Sequence, residues 1–501
     1  MSQEIQRSMA HGAAWMVLFK LLERSLGAIS TLILVRLLAP KDFGIVAMAS
    51  SFIAMAELLS AFGFDVALIQ KQDAPEEHYH TAWTLNALMG LAITVAMVVL
   101  AKPVAAFYKE PGLFWGVLAL ALGPAITGCE NVGVVAFRKE LNFRREFRFQ
   151  ISRKLAGFSV VVPLAFWLHS YWALVAGTLA GKLAGTVMSY RIHPFRPRFS
   201  LVGAGTLFHF SKWLLLSNFL GFVRTRASDF VLGRMLGPAT LGLYNVSGEF
   251  ANLPTTELGA PINRALLPGF AQIGNNRAAL SSAYVNAVGF VAMIVVPAAA
   301  GIFSIANFLV PVVLGAKWVG SAPILRLLAM NGAMTVIEGA IYAMLIAIGF
   351  PRDLTRINVV SACGLVMLMV SLVGPFGVTG AAYACLGASL LAAPFYFHYL
   401  RKHTGIGIAT FFRATSRSFA ASGAMVFLLW LILPGDASAI PVHLAAIWLV
   451  AGVGIGAGAY SLVLGLLWLA AGRPDGAERM AMARASDAWK SRFRPEGKLN
   501  A

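Results

Sequence analysis

The sequence predicts an all-α integral membrane protein with about fourteen transmembrane helices, built as two parallel six-helix lobes around a central cavity plus two C-terminal helices. Three observations predict it. Of the 501 residues, 58% are hydrophobic and 12% charged, against about 25% charged in a soluble domain. Apolar runs of about 20 residues, enough to cross a hydrocarbon core of about 30 Å, recur along the whole chain. A stretch of the first half also returns in the second.

The runs are continuous rather than alternating, so they read as helices and not as barrel strands. The expected spans are 14–38, 43–63, 83–101, 114–136, 155–169, 172–190, 213–236, 242–263, 284–303, 322–349, 357–374, 378–398, 414–434 and 442–470. Segments 71–82 and 264–283 are amphipathic and are expected to lie on the inner membrane face. The polar connections are too short to fold alone, so no soluble domain is expected. The expected divisions are 1–200 and 201–405 for the two lobes, 406–470 for the added helices and 471–501 for a basic tail.

Charge placement sets the expected orientation. Lys and Arg number 40 against 22 Asp and Glu, a net charge of +18. In a soluble protein that excess would suggest nucleic acid. Here, with the N-terminus placed in the cytoplasm, basic residues between spans gather on the inner side. They are the run from Arg138 to Lys154, then Arg191, Arg196, Arg198, Arg352, Arg356, Arg401, Lys402 and the tail from Arg473 to Lys498. The outer side holds only Lys41, Lys102, Lys109 and Lys317. Because positive loops stay inside, both termini are expected to be cytoplasmic. Lys20, Glu23 and Arg24 interrupt the first run, which is therefore expected to be a helix and not a cleaved signal. Cys129, Cys363 and Cys385 lie singly in apolar runs and read as packing residues.

The repeat is specific. Leu34-Val35-Arg36-Leu37-Leu38-Ala39-Pro40, followed by Lys41-Asp42-Phe43-Gly44, matches Leu232-Gly233-Arg234-Met235-Leu236-Gly237-Pro238, followed by Ala239-Thr240-Leu241-Gly242. A weaker echo pairs Phe137–Asn142 with Phe350–Thr355. Each half then holds six helices, and an even number makes the repeats parallel about an axis along the membrane normal. In the motif, proline is expected to end the first helix of each half, and glycine to let the second start close against it.

Ionisable residues at mid-bilayer cost about 2.5–3.5 kcal/mol each on insertion scales and point to function. In the first span Lys20, Glu23, Arg24 and Thr31 share a face, with Arg24 about 16 Å along the run, near the midplane. In the seventh, its equivalent, Arg224 and Arg226 lie at similar depth and Asp229 follows one turn later. Lys20, Arg24, Arg224 and Arg226 are the candidate substrate-binding residues; Glu23 and Asp229 are the candidates for orienting them or for coupling. The excess of cations implies an anionic cargo, and a guanidinium fork matches a phosphate oxygen pair. The competing arrangement is mutual neutralisation, Glu23 with Arg24 or Lys20 and Asp229 with Arg226. Glu57, Glu130, Glu249, Glu257 and Glu338 also lie in spans, and any of them is a candidate carrier of a coupling ion.

Other patterns read as structure. Gly177, Gly181 and Gly185, spaced by four, form a small-residue face for close helix packing. Gly181-Lys182 lacks the spacing and the Ser or Thr of a phosphate loop. Glu76-Glu77-His78-Tyr79-His80 reads as the polar face of a helix rather than a metal site. Trp167 and Trp172 flank an outer turn as interfacial aromatics do.

Across residues 1–430, the motif Leu34-x-Arg36-Leu37-Leu38-Ala39-Pro40-x-x-Phe43-Gly44, its repeat at Leu232–Gly242 and the polar Arg138–Arg144 stretch resemble the polysaccharide flippases. These form part of the multidrug/oligosaccharidyl-lipid/polysaccharide exporter superfamily, and the resemblance is to the lipopolysaccharide and colanic-acid exporter type. It implies a cargo of polyprenyl-diphosphate-linked oligosaccharide, alternating access in the bacterial inner membrane and no enzymatic step. It implies an arginine holding the diphosphate at the Arg24 position, with H+ or Na+ as the coupling ion and polysaccharide polymerase machinery as a partner. The alternatives are an ion-coupled drug or cation antiporter of the same fold, for which an acidic cavity is expected, and a membrane polymerase or ligase acting on lipid-linked sugar.

Overall fold

The computed structural model describes residues 22–59, 68, 75–140, 142–202, 204, 212–253, 259–274, 276–435, 440–474 and 478–479. Among them every regular element is helical, and each expected span is mostly helix where it is described, with 114–136 interrupted at Ala121 and at 129–131. The first helices are α1 (22–37), α2 (Pro40–Leu59) and α3 (Glu76–Tyr108). A broken helix follows as α4 (Leu113–Leu120), α5 (Leu122–Gly128) and α6 (Val135–Lys139). Then come α7 (Phe143–Leu168), α8 (Trp172–Ile192), α9 (Lys212–Leu236) and α10 (Pro238–Ala251). The rest are α11 (Ala260–Ile273), α12 (Arg277–Leu309), α13 (Ala322–Ala347), α14 (Pro351–Thr404), α15 (Ile408–Ile432) and α16 (Val442–Ala470).

Among the described residues, seven helices are long and apolar enough to cross a membrane, or eight if the broken pair, bent by 65°, counts as one. Helix α9 carries Lys212, Arg224, Arg226, Asp229 and Arg234, and α10 has 14 residues. The bend after α5 is held by buried Asn131, whose side-chain Oδ1 accepts from Gly133 N at 2.9 Å and whose Nδ2 donates to Phe195 O at 2.7 Å. Helix α14 contains two expected spans, separated at Gly377 by a φ of 59° that glycine adopts without steric cost.

The chain divides into two compact units, Met1–Asn245 and Val246–Ala501. In the first, α7 and α8 pack most closely along the predicted glycine face. A Cβ on Gly177 would lie 2.5 Å from Val161 Cβ, and one on Gly181 would lie 3.2 Å from Arg153 O. Gly177→Val should thus force the pair apart at a cost of about 1–3 kcal/mol, read as a lower melting temperature in detergent. In the second unit, Tyr460 of α16 donates to Met293 O of α12 at 2.8 Å, and Asn263 of α11 donates to Val336 O of α13 at 3.2 Å.

Of segment 71–82, expected as a separate surface helix, residues 71–74 lie outside the described residues and the part from Glu76 is continuous with α3. Residues 76–82 make up about its first two turns, because nothing after Tyr79 interrupts the helical run. Segment 264–283 is split at Gly274, where φ is 63°, so only its first part belongs to a short helix.

Candidate functional site

The duplicated motifs meet inside the first unit. α1 and α9 stop short of Pro40 and Pro238, and each proline opens the next helix, where its missing N–H costs nothing. Asp42 fixes the first of these turns: one carboxylate oxygen accepts from Ala39 N and the other from Tyr171 N, both at 2.9 Å. A Cβ on Gly44 would lie 1.8 Å from Pro238 O, and one on Gly242 would lie 1.8 Å from Pro40 O. The sequence led one to expect these glycines against the first helix of their own half; the atoms nearest to each belong to the other half's motif. Each admits the prolyl carbonyl of the other copy.

Deeper along α9, Asp229 is 2% exposed and gathers donors from three helices. Arg226 Nη1 reaches it at 3.1 Å, Asn245 Nδ2 of α10 at 3.1 Å, and Ser51 Oγ of α2 through a short hydrogen bond. The Tyr108 hydroxyl donates to the Asp229 backbone carbonyl at 3.4 Å. Phe52, Tyr108 and Phe230 cover this cluster, with Phe52 5.0 Å from Phe230 and 5.6 Å from Tyr108. The carboxylate is desolvated but fully provided with donors, as a buried charge requires.

At mid-length of α1, α7 and α8 a cleft of about 370 Å³ opens. Its wall includes Ser30, Arg153, Lys154, Thr178 and Lys182 among small and apolar residues, and no carboxylate. Each cation is held by an acid: Lys154 pairs with Glu23 at 3.3 Å, Arg153 with Glu130 at 3.3 Å and Lys182 with Glu57 at 3.5 Å.

Of the residues singled out from sequence, Lys20 lies outside the described residues, as does Glu257. Arg24 and Arg224 are exposed on α1 and α9. Arg226 and Asp229 are brought together, and Glu23 pairs with Lys154 of α7. The sequence reading missed Arg153, Lys154 and Lys182. Lys182 was legible, as a lone charge in an apolar span; Arg153 and Lys154 were hidden at the end of a basic run read as a connection on the inner side. Glu57 and Glu130 are held in ion pairs, Glu249 is exposed and Glu338 is buried. His80 accepts from Arg198 N at 2.9 Å, and among the described residues no cluster could hold a metal ion.

The second unit holds a larger cavity of about 910 Å³ between α12, α13, α14 and α15. Its wall is almost wholly hydrocarbon and aromatic, with Phe303, Phe411, Phe427 and Trp430 among its residues and Glu338 at one side. Such a surface suits an alkyl or prenyl chain and offers a glycan few partners.

The fold is that of a multi-pass membrane transporter. It superposes on the solved structure of lipid II flippase MurJ in an inward closed conformation with a TM-score of 0.71 and 12% identity, covering 90% of this chain and 99% of that one. The chain belongs to the polysaccharide biosynthesis protein family, whose model matches residues 33–323. It is similar to the lipopolysaccharide biosynthesis protein WzxC of Escherichia coli, 27% identical over 67% of this chain and 69% of the relative. It is also similar to the succinoglycan biosynthesis transport protein ExoT of Rhizobium meliloti, 24% identical over 91% and 93%. The family expected from the motif is the family found.

Proposed function

We propose that this protein flips a polyprenyl-diphosphate-linked oligosaccharide across the bacterial inner membrane by alternating access, supplying surface polysaccharide synthesis. The observation that carries the reading is the polysaccharide biosynthesis family match on a chain with a flippase fold. In this reading fourteen helices cross the membrane as two six-helix lobes plus two, and both termini are cytoplasmic, as the basic connections favour. Arg24 and Arg224, with Lys20 and Arg226, hold the diphosphate through charge-assisted hydrogen bonds. Glu23 and Asp229 orient cations and exchange partners as the lobes move. Membrane lipid surrounds the prenyl chain, an H+ or Na+ gradient supplies the energy, and polysaccharide polymerase machinery receives the product.

A drug or cation antiporter of the same fold calls for carboxylates facing its cleft; among the described residues the ionisable groups lining this cleft are Arg153, Lys154 and Lys182. Arg24→Ala is expected to abolish surface polysaccharide at unchanged protein level, with Arg24→Lys only partly active because a point charge replaces a planar fork. Normal polymer in Arg24→Ala cells would remove Arg24 from the mechanism. Transfer of a defined lipid-diphosphate-sugar in proteoliposomes, with and without an imposed proton or sodium gradient, tests the reading as a whole.

A further inference from the structure

We infer that residues 193–202, which lead out of α8, form a strap latched by two histidines. It is closed over α3 and the bend before α6 while His80 and His193 are neutral, and it lets go when they are protonated. The inference is independent of the cargo; only the side it faces, the cytoplasm, rests on the orientation proposed above. Its first support is the hydrogen bonding. Residues 193–200 are neither helix nor strand, so their backbone groups need partners from elsewhere, and α3 supplies several. Thr81 Oγ1 donates to Val202 O at 2.7 Å, Thr84 Oγ1 accepts from Ser200 N at 3.0 Å and His80 Nδ1 accepts from Arg198 N at 2.9 Å. Nearer α8, His193 Nδ1 accepts from Phe195 N at 3.1 Å, and Asn131 of the bend donates to Phe195 O. The Phe195 ring lies 4.9 Å from His80, and Phe199 lies 5.3 Å from Trp83.

The second support is the chemistry of the acceptors. An imidazole accepts at Nδ1 only when it is neutral and its proton sits on Nε2; the imidazolium donates from both nitrogens. Protonation therefore sets N–H against N–H at Arg198 and again at Phe195. Among the described residues, the charged groups around His80 are Glu76, 3.9 Å from its Nε2, Arg198 itself and Lys139 against the Tyr79 ring. Glu76 thus offers a charged His80 a partner at the nitrogen away from the strap. Around His193 stand Glu140, Arg145 and Arg196. Burial, opposed by Glu140 and aided by both arginines, holds the His193 imidazole below its ordinary value of 6.5. The closed strap is favoured at neutral pH and loses stability as pH falls below that value. The third support is the room made for the latch. A Cβ on Gly133 would lie 2.3 Å from His193 Nδ1 and 2.9 Å from Phe195 Cβ, so the bend leaves this space to the strap. Bracing alone would be served by a hydroxyl, as Thr84 serves Ser200, and would not need an acceptor that titrates near neutrality.

The test is hydrogen–deuterium exchange of the full-length protein in nanodiscs at about pH 7.5 and about pH 5.5, on either side of the ordinary histidine value and corrected for the intrinsic pH dependence of exchange. In wild type, protection of peptides covering 194–202 should fall at least about fivefold at the lower pH while α12 stays protected. His80→Asn/His193→Asn should keep the strap protected at both pH values, because an amide oxygen accepts without titrating. His80→Ala/His193→Ala should leave it unprotected already at the higher pH. Equal protection of the wild-type strap at both pH values overturns the inference. So does an asparagine variant that loosens on acidification, or an alanine variant still protected at the higher pH. Loss of α12 protection together with the strap also overturns it, since the strap would then report general unfolding. Failure of the wild type to transfer lipid-linked sugar would count against the flippase reading alone, and the exchange measurement would still decide the latch.

Discussion

Alanine in place of Gly44 should collapse both the stability and the transport activity of this protein. The added Cβ would lie 1.8 Å from Pro238 O, 2.5 Å from its carbonyl carbon and 2.8 Å from its Cα. All three atoms are backbone, so no rotamer change gives relief and the second motif must move bodily away from α2. Overpacking commonly costs about 1–3 kcal/mol, and an immovable obstacle places this case at or above the upper end. We expect a lower melting temperature and at least a tenfold loss of polysaccharide export. Gly242→Ala should behave alike, because its Cβ would lie 1.8 Å from Pro40 O. Combining the two should cost less than their sum, since one separation relieves both clashes. Gly221→Ala is the control, with nothing within 4 Å of its Cβ. A Gly44→Ala protein that melts and exports like wild type would show that the motifs do not depend on this contact.

Removing the carboxylate of Asp229 is expected to have an effect of similar size by a different route. Asp229→Ala leaves Arg226, Asn245 and Ser51 without the acceptor that joins α9, α10 and α2. Breaking a buried pair from one side costs about 3–5 kcal/mol. The Arg226 side chain is 40% exposed, so water recovers part of that, and about 2–3 kcal/mol is expected. Asp229→Asn keeps an acceptor oxygen and the shape but removes the charge, and should fall between wild type and alanine. Thermal melts of the three proteins check the order. An alanine variant as stable as wild type would mean that the cluster contributes nothing to holding these helices.

How much of this was legible beforehand can be followed residue by residue. The helical runs were readable because a continuous apolar stretch has few alternatives in lipid. The glycine face at 177, 181 and 185 was readable because helical periodicity puts residues four apart on one side. The Asp229–Arg226 pair was readable for the same reason, being three apart. Partners from distant helices were not. Nothing in the sequence says that Glu23 turns to Lys154, or that Ser51 and Asn245 complete the shell of Asp229. These depend on which helix faces lie together, and helix packing fixes that.

The sequence by itself determined that this chain is an all-helical, multi-pass membrane protein of a polysaccharide-handling family. Composition, run length and a duplicated motif are properties of the chain taken in order. Only the tertiary structure decided that the two motif copies lock onto each other's proline carbonyls, and that Arg153, Lys154 and Lys182 line one cleft while paired with Glu130, Glu23 and Glu57. The physical reason is the short reach of these interactions. A hydrogen bond or ion pair acts over a few ångströms, and its partners are chosen by packed helices whose sequence positions lie tens to hundreds of residues apart.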